Sequence, residues 1–504
     1  MIADGRSYRY RKLERLRSGH QVRVLDLFAG CGGIALGFHA AGCGIVGAVD
    51  IDPIAARTFA VNFYGHDHHP RCVVQDIAST DPGQLARLLA PDEDPREIVD
   101  ILVGGPPCQA FARVGRAKLR EVTRDPEAYR RDGRAGLYVH YLKCVEAFQP
   151  LVILIENVPD VLNYGGTNIA EVICRDLERA GYCCKYTILN AAHYGVPQLR
   201  HRLFLLAYAE EIGREPEFPE PTHRCQIPKG YIGVRYSALA RQKRLGLDRF
   251  VYPPVPEEDT LPPAVTAREA LEDLPEIRYH LEGNLRRRSV TSPHPLLYRR
   301  DVSPSPYASL MRTWPGFESG ESVEHHVIRW LPRDYPIFAR MEPGDEYPAA
   351  LKKAEGLFKE KIERFRLEGK VIVEGSPEYE DLRRKTVPPY DHRKFPNKWR
   401  KMEPDAPVRT LMAHLGKDTY THIHFDSTQA RTISVREAAR LQSFPDGFRF
   451  CGGMNAAFRQ IGNAVPPLLV NVLACEILKV LGVPHAPESL VKRLLPESAE
   501  VARG

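Results

Sequence analysis

Six short, nearly all-apolar runs punctuate the first 210 residues: Val22–Phe28, Ile45–Val49, Cys72–Val74, Ile98–Val103, Leu151–Ile155 and Leu203–Ala207. Runs of this length with little alternation are what strands covered on both faces require, so they predict a parallel sheet. Between them, Ile34–Ala41, Ile54–Phe63, Leu137–Phe148 and Asn168–Ala180 carry apolar residues at helical spacing and have the length of crossover helices. The expected fold class is α/β, a doubly wound, mostly parallel sheet of Rossmann-like type. After Tyr208 the pattern dissolves. Prolines crowd between Glu215 and Pro263 and forbid long regular elements there. Thr266 and Glu269 make a capping box for a short helix, and Ala349–Lys370 reads as a charged helix with one apolar stripe. Helical pattern returns at Val435–Gln442 and Pro467–Leu481. The expected organisation is a basic N-terminal arm (1–20), an α/β domain (21–210), a smaller irregular domain (211–430), a return segment completing the first domain (431–482) and a tail (483–504).

Composition narrows the class without naming a function. The 504 residues are 43% hydrophobic and 27% charged, with 70 Lys+Arg against 64 Asp+Glu for a net charge of +6, which excludes disordered and fibrous chains. No apolar run approaches the roughly 20 residues that cross a bilayer, and the start is polar and basic, so a cytoplasmic protein without membrane contact is expected. Eleven cysteines, none paired as Cys-x-x-Cys, indicate neither a disulfide framework nor a metal centre. One local excess stands out: Arg383, Arg384, Lys385, Arg393, Lys394, Lys398, Arg400 and Lys401 face only Asp391. That run suits phosphate contacts or a solvated basic face equally.

Four places could carry chemistry. The strand ending at Phe28 enters Ala29-Gly30-Cys31-Gly32-Gly33, a turn that lets a ligand approach backbone and helix amides, and Asp50 follows about twenty residues later, where a carboxylate takes ribose hydroxyls. This fits a structural turn, a nicotinamide cofactor or an adenosyl-methionine cofactor. The run Ile98–Val103 ends in Gly104-Gly105-Pro106-Pro107-Cys108, where two prolines stiffen the chain before one thiol. A lone cysteine is more often a small buried hydrophobe, yet beside a cofactor turn it is a candidate nucleophile. Glu156 ends a strongly apolar run, a costly place for a carboxylate unless it is paired or used as an acid. In Gln198-Leu199-Arg200-His201-Arg202 the two arginines point one way on a strand and could grip an anion, or belong to a salt-bridged edge.

Taken in order, the blocks LDLFAGCGG (25–33), Asp50-Ile51-Asp52, Gln75-Asp76-Ile77, GGPPCQAF (104–111), ENV (156–158), VPQLRHRLF (196–204), REAARLQSFPD (436–446) and RQIGNAVPP (459–467) make a chain that resembles the DNA cytosine-5 methyltransferase family, prokaryotic restriction-modification type. The resemblance implies S-adenosylmethionine as methyl donor and S-adenosylhomocysteine as product. It implies Cys108 as the thiolate that adds to cytosine carbon 6, Glu156 as the acid at ring nitrogen 3, Arg202 on the base's carbonyl oxygen, and Arg200 positioning the loop or the base. For the cofactor it implies Phe28 against the adenine, Gly30–Gly33 along the methionine moiety, Asp50 on the ribose, Ile51 on the purine, and Asp76 with Ile77 at its amino group. Pro107, Leu137, Asn463 and Val465 complete that pocket. Two departures are Ile51, less aromatic than some relatives, and Ala112, where the family usually places Ser.

The same resemblance implies double-stranded DNA as partner, with the target base rotated out of the stack, and residues 211–430 as a target-recognition domain. Arg286-Arg287-Arg288, the basic run and Trp399 are its candidate DNA contacts. A monomer associated with the nucleoid is expected, alongside cognate restriction or defence proteins. Left open at this point are a nicotinamide-dependent dehydrogenase on the same glycine turn, a catalytically silent DNA-binding relative and an RNA-directed relative.

Overall fold

The computed structural model describes residues 7–106, 137–163, 167–227, 248–254, 256, 260–282, 289–290, 296–394 and 396–496. Its centre is a seven-stranded sheet. The strands are β1 (Arg23–Leu27), β2 (Gly44–Asp50), β3 (Cys72–Val74), β4 (Ile101–Gly104), β5 (Val152–Asn157), β6 (Tyr182–Asn190) and, beyond the two-residue β7 (Gln198–Leu199), β8 (His201–Ala209). They lie in the order β3-β2-β1-β4-β5-β8-β6. The first five are mutually parallel, while β8 runs antiparallel between β5 and β6. The expectation of a mostly parallel, doubly wound sheet is met. Strand order reverses between β1 and β4, and the crevice beyond their carboxyl ends is where such sheets take ligands.

Successive side chains along each strand point to opposite faces, so two apolar layers form. One face holds Val24, Ile101, Val103, Val152, Leu154, Phe204 and Leu206 under the helices α1 (Tyr8–Arg17) and α2 (Gly33–Ala40). The other holds Leu25, Leu27, Leu102, Ile153, Ile155, Leu203 and Leu205. Over it lie, after α3 (Pro53–Tyr64), α4 (Pro82–Leu89), α5 (Pro95–Ile98), α6 (Leu137–Phe148) and α7 (Ile169–Arg179).

The sequence pattern missed β6 because its first half alternates, with Cys183 and Lys185 half-exposed between buried Tyr182, Cys184 and Tyr186. An edge strand with one wetted side shows no continuous apolar run. The basic N-terminal stretch is not left as a free arm over its helical part. Leu13 and Leu16 of α1 sit in the core, and buried Lys12 donates to the carbonyls of Val99 (2.6 Å), Phe148 (2.9 Å) and Gln149 (3.0 Å). Those carbonyls close α5 and α6, so the Lys12 amine supplies donors to helix C-terminal acceptors that have no intrahelical partner.

Between residue 210 and the return segment most elements are short, the exception being one helix of 21 residues. They include α8 (Ala267–Leu271), which carries the expected Thr266–Glu269 capping box, β9 (Ser289–Val290), α9 (Pro306–Arg312), β10 (Ile328–Arg329) and α10 (Tyr335–Phe338). There follow α11 (Tyr347–Leu367), α12 (Pro377–Arg384) and β11 (Val408–Arg409), which pairs in parallel with β7. A separate apolar cluster forms around Phe338, Tyr347, Leu357, Phe358, Trp399 and Tyr420.

The return segment comprises α13 (Val435–Leu441), α14 (Met454–Asn463) and α15 (Pro467–Leu481). It is joined to the first domain without a gap: a Cβ on Gly33 would stand 2.5 Å from the Val465 carbonyl oxygen, and one on Gly37 2.6 Å from Val470 Cβ. The stretch Met454–Leu481 has the length and hydropathy of a membrane span by composition, yet 83% of its apolar window is buried in the protein. It is a core element.

The basic run behaves differently from the phosphate surface expected of it. Arg383 pairs with Glu355, Arg384 and Lys385 with Asp381, Lys398 with Asp418, and Arg400 with Glu346 and Glu403. Lys401 is buried and donates to the Phe338 carbonyl at 2.9 Å. Trp399 is buried as well, stacked on Tyr420 with ring centroids 4.8 Å apart. Glu355, Asp418 and Glu346 are distant in sequence from the cations they neutralise, while Asp381 and Glu403 flank the run just outside it. Arg393 and Lys394 remain exposed, and Arg286-Arg287-Arg288 lie outside the described residues.

Candidate active site

The switch-point crevice collects most of the residues singled out above. At the end of β1, Phe28 is half-buried with φ 60°, a left-handed conformation that a non-glycine residue adopts only when its surroundings impose it. Gly30 follows at φ 55°, with no atom within 4 Å of the place a Cβ would occupy. The turn therefore opens onto free space. Asp50, at the end of β2, ties it down: Oδ2 accepts from the Gly30 amide at 2.7 Å and Oδ1 from the Asp52 amide at 2.8 Å. Burial pushes the Asp50 carboxyl up, against the pull of these amides.

Ile51 beside it is 67% exposed, an apolar side chain with one face left to solvent. Asp76 is exposed and caps the turn Ile77–Ser79 by accepting from the Ala78 amide at 2.9 Å, while Ile77 is buried below it. Leu137 is half-buried at the start of α6. From the return segment, Val465 packs on Gly33 and Asn463 is exposed. An open glycine turn, an exposed apolar shelf and a half-buried carboxylate fit an adenosyl group. Pro107 lies outside the described residues.

The second cluster lies across β4, two strands from β1. Glu156, near the end of β5, pairs across to β8, where Arg202 Nε stands 2.8 Å from Glu156 Oε1. The side chains are 12% and 15% exposed. Burial pushes the Glu156 carboxyl up; the Arg202 and then the Arg200 guanidinium pull it down. The end of β4 meets this acid: a Cβ on Gly105 would stand 3.1 Å from Glu156 Oε2, and Asn157 Nδ2 donates to the Pro106 carbonyl at 2.9 Å. Cys108, two residues further, lies outside the described residues. The other ten cysteines are described, and all are free thiols. Among them, burial pushes Cys72, Cys144 and Cys475 up to about 12.

The two arginines of Gln198–Arg202 do not act alike. Arg202 is on the acid. Arg200 is 1% exposed and donates to three carbonyls, those of Leu411 (2.7 Å), Gly462 (3.1 Å) and Ala464 (2.9 Å). The chain breaks pairing between β7 and β8 at Arg200, so strict alternation does not apply across it. Two partners went unremarked in the residue pattern. Arg459, on α14, reaches Asp52 at 3.0 Å and bridges the return segment to the Asp50 turn. Gln442 contacts both Gln198 and the Ala464 carbonyl. The block around Arg436 and Arg440 is structural: Arg440 is buried between Asp273 and Asp446, and Arg436 donates to the carbonyls of Glu324, Pro445 and Phe448.

Comparison with known proteins decides what this geometry belongs to. Residues 22–479 match the family model for C-5 cytosine-specific DNA methylase. The chain belongs to that family. It is 37% identical over 456 residues to M.OihORF3336P of Oceanobacillus iheyensis, named as a type II methyltransferase, covering 90% of this chain and 94% of the relative. It is 32% identical to the type II methyltransferase M.AgeI of Thalassovita gelatinovora, over 91% of this chain and 99% of that one. The fold matches a solved Escherichia coli prophage protein described as a DNA modification methyltransferase, with a TM-score of 0.52, 22% identity and 92% of this chain covered (99% of that chain). The protein is thus a DNA (cytosine-5)-methyltransferase, an enzyme dependent on S-adenosylmethionine, and the nicotinamide-dependent alternative falls away.

Proposed function

We propose that the enzyme methylates carbon 5 of a cytosine rotated out of a specific duplex DNA sequence, through a transient bond to Cys108, and that it protects host DNA in a restriction-modification or related defence system. The observation that carries this reading is the nearly buried Glu156–Arg202 pair at the carboxyl end of the sheet, against the β4 end that leads to Cys108.

Cytosine carbon 5 is a poor nucleophile until the ring's aromaticity is broken, and addition of a thiolate at carbon 6 breaks it. Glu156, with its proton affinity raised by burial, is suited to protonate ring nitrogen 3 as that bond forms. Arg202 holds the acid and would donate to the base's carbonyl oxygen. Arg200 is a positioning residue. The methyl donor supplies an electrophilic methyl on a sulfonium and leaves as S-adenosylhomocysteine. Loss of the carbon 5 proton and expulsion of the Cys108 thiolate then restore the ring. Asp50 would hold the ribose hydroxyls, with Phe28, Ile51, Asp76, Ile77 and Leu137 around the adenine and Gly30, Gly33, Asn463 and Val465 around the methionine end.

Duplex DNA is the partner, and the names of the relatives M.OihORF3336P and M.AgeI support the type II role. The test is expression in a host lacking cytosine methylation, followed by bisulfite sequencing. Wild type should protect cytosines within one recurrent sequence and Cys108→Ala none; protection persisting in the variant would refute the assignment.

A further inference from the structure

The helix α11 buries Tyr347, Ala350, Ala354, Leu357 and Phe358, all in its first twelve residues, and buries none in its last nine. Its far end and the turn into α12 therefore stand out from the apolar cluster around Trp399. Three large apolar side chains lie in solvent there within seven residues: Leu367 (76% exposed), Val371 (77%) and Val373 (64%). Exposed apolar residues scattered singly are ordinary, whereas a group of them marks a contact surface. Among the described residues, only Ile51 beside the cofactor turn is a large apolar side chain exposed to a comparable degree.

The segment is Gly369-Lys370-Val371-Ile372-Val373-Glu374-Gly375, which reads the same from either end about Ile372 except that a lysine answers a glutamate. Both glycines are left-handed, at φ 80° and 79°, and turn the chain on either side of it. Valine and isoleucine are strand-forming residues, yet among the described residues the amides of Val371, Ile372 and Val373 make no hydrogen bond. Charges nearby are matched within the molecule: Arg364 with Glu368, Arg366 with Glu363, and Arg384 and Lys385 with Asp381. Lys370 and Glu374 are both exposed and form no ion pair among the described residues; the Lys370 amine stands 5.5 Å over the Phe365 ring.

We propose that residues 369–375 are a self-association site, at which a second copy of this chain adds as an antiparallel strand in place of the monomer implied by the resemblance. Pairing about a two-fold axis through Ile372 sets Lys370 against Glu374 of the second copy at both ends and Val371 against its Val373. Each exposed valine is then covered by another, and each unmatched charge meets its opposite. A slip of register in either direction loses both ion pairs, so the charges fix the pairing. The association depends neither on the cofactor nor on Cys108. A contact of two short strands is small, and the dimer is accordingly weak, with a dissociation constant of about 10–100 μM.

The test is sedimentation equilibrium of the full chain, without DNA, over concentrations that bracket that value. Wild type should rise from the mass of one chain towards that of two and no further. Lys370→Glu and Glu374→Lys each set like charges opposite one another at both ends of the strand pair. Each should weaken self-association at least about tenfold, with the thermal midpoint unchanged because both side chains are exposed. An equimolar mixture of the two single variants restores both opposite-charge pairs and should associate within about threefold of wild type, as should the chain carrying both substitutions. The proposal is overturned if wild type stays monomeric throughout, if either single variant associates as wild type does, or if the mixture or the double variant stays as weak as the single ones.

Discussion

Replacing Arg202 by methionine removes the strongest partner of Glu156 while keeping most of the side chain's bulk. The pair is 2.8 Å apart with side chains 15% and 12% exposed, so it sits close to the buried limit, where removing one partner costs about 3–5 kcal/mol. Burial already pushes Glu156 up, and Arg202 is the largest influence pulling it down. The orphaned carboxylate escapes the cost by taking a proton, so loss of Arg202 pushes the Glu156 carboxyl further up. A carboxyl whose folded pKa lies above its unfolded value of about 4.3 takes up a proton on folding. Its contribution is complete below the unfolded value and is lost as pH rises through the folded one. Arg202→Met should therefore be about 3 kcal/mol less stable than wild type at pH 8, and should recover more than half of that at pH 5. The double variant Arg202→Met/Glu156→Gln should recover most of it at either pH. Urea unfolding followed by tryptophan fluorescence reads all of this. A loss that is the same at pH 5 and pH 8, or that survives in the double variant, would refute the reasoning.

Other outcomes follow from the same geometry. Glu156→Gln should lower single-turnover methyl transfer by about 10²- to 10⁴-fold, while S-adenosylmethionine binding, measured by dialysis, changes little because the cofactor site we propose lies at the ends of β1 and β2. Gly33→Ala should weaken methyl-donor binding and cost about 1–3 kcal/mol of stability, since the new Cβ would stand 2.5 Å from the Val465 carbonyl oxygen; unchanged KM and thermal midpoint would count against that packing. Burial holds the Lys12 amine down at about 7, below its free value near 10.4, so the unfolded chain binds more protons in that interval. Wild-type stability should accordingly gain a component as pH rises from 7 to 9 that Lys12→Met lacks, read by denaturation at each pH.

The sheet was legible where strands are covered on both sides, because continuous apolar runs such as Leu151–Ile155 have no other simple reading. Strand β6 was not, since its outer side is partly wet and carries Lys185. The acid and the arginines were visible as charges placed beside apolar runs, but their division of labour was not. Arg202 and Arg200 look equivalent in Gln-Leu-Arg-His-Arg, and only the break between β7 and β8 sends one to Glu156 and the other to the carbonyls of residues 411, 462 and 464. The basic run from Arg383 to Lys401 misled for a related reason: Glu355, Asp418 and Glu346, which neutralise it, are separated from their partners in sequence and adjacent only in the fold. The glycine turn tied to Asp50 was legible as a constellation because a turn after one strand and a carboxylate on the next depend on local chain geometry.

The most direct measurement is covalent trapping on a duplex whose target cytosine carries fluorine at carbon 5, so that the step needing loss of the carbon 5 proton cannot proceed. With S-adenosylmethionine present, wild type should form a denaturant-stable protein–DNA complex, and digestion with mass spectrometry should place the modified base on the peptide containing Cys108. No stable complex, or attachment through a different residue, would contradict covalent catalysis by that thiol.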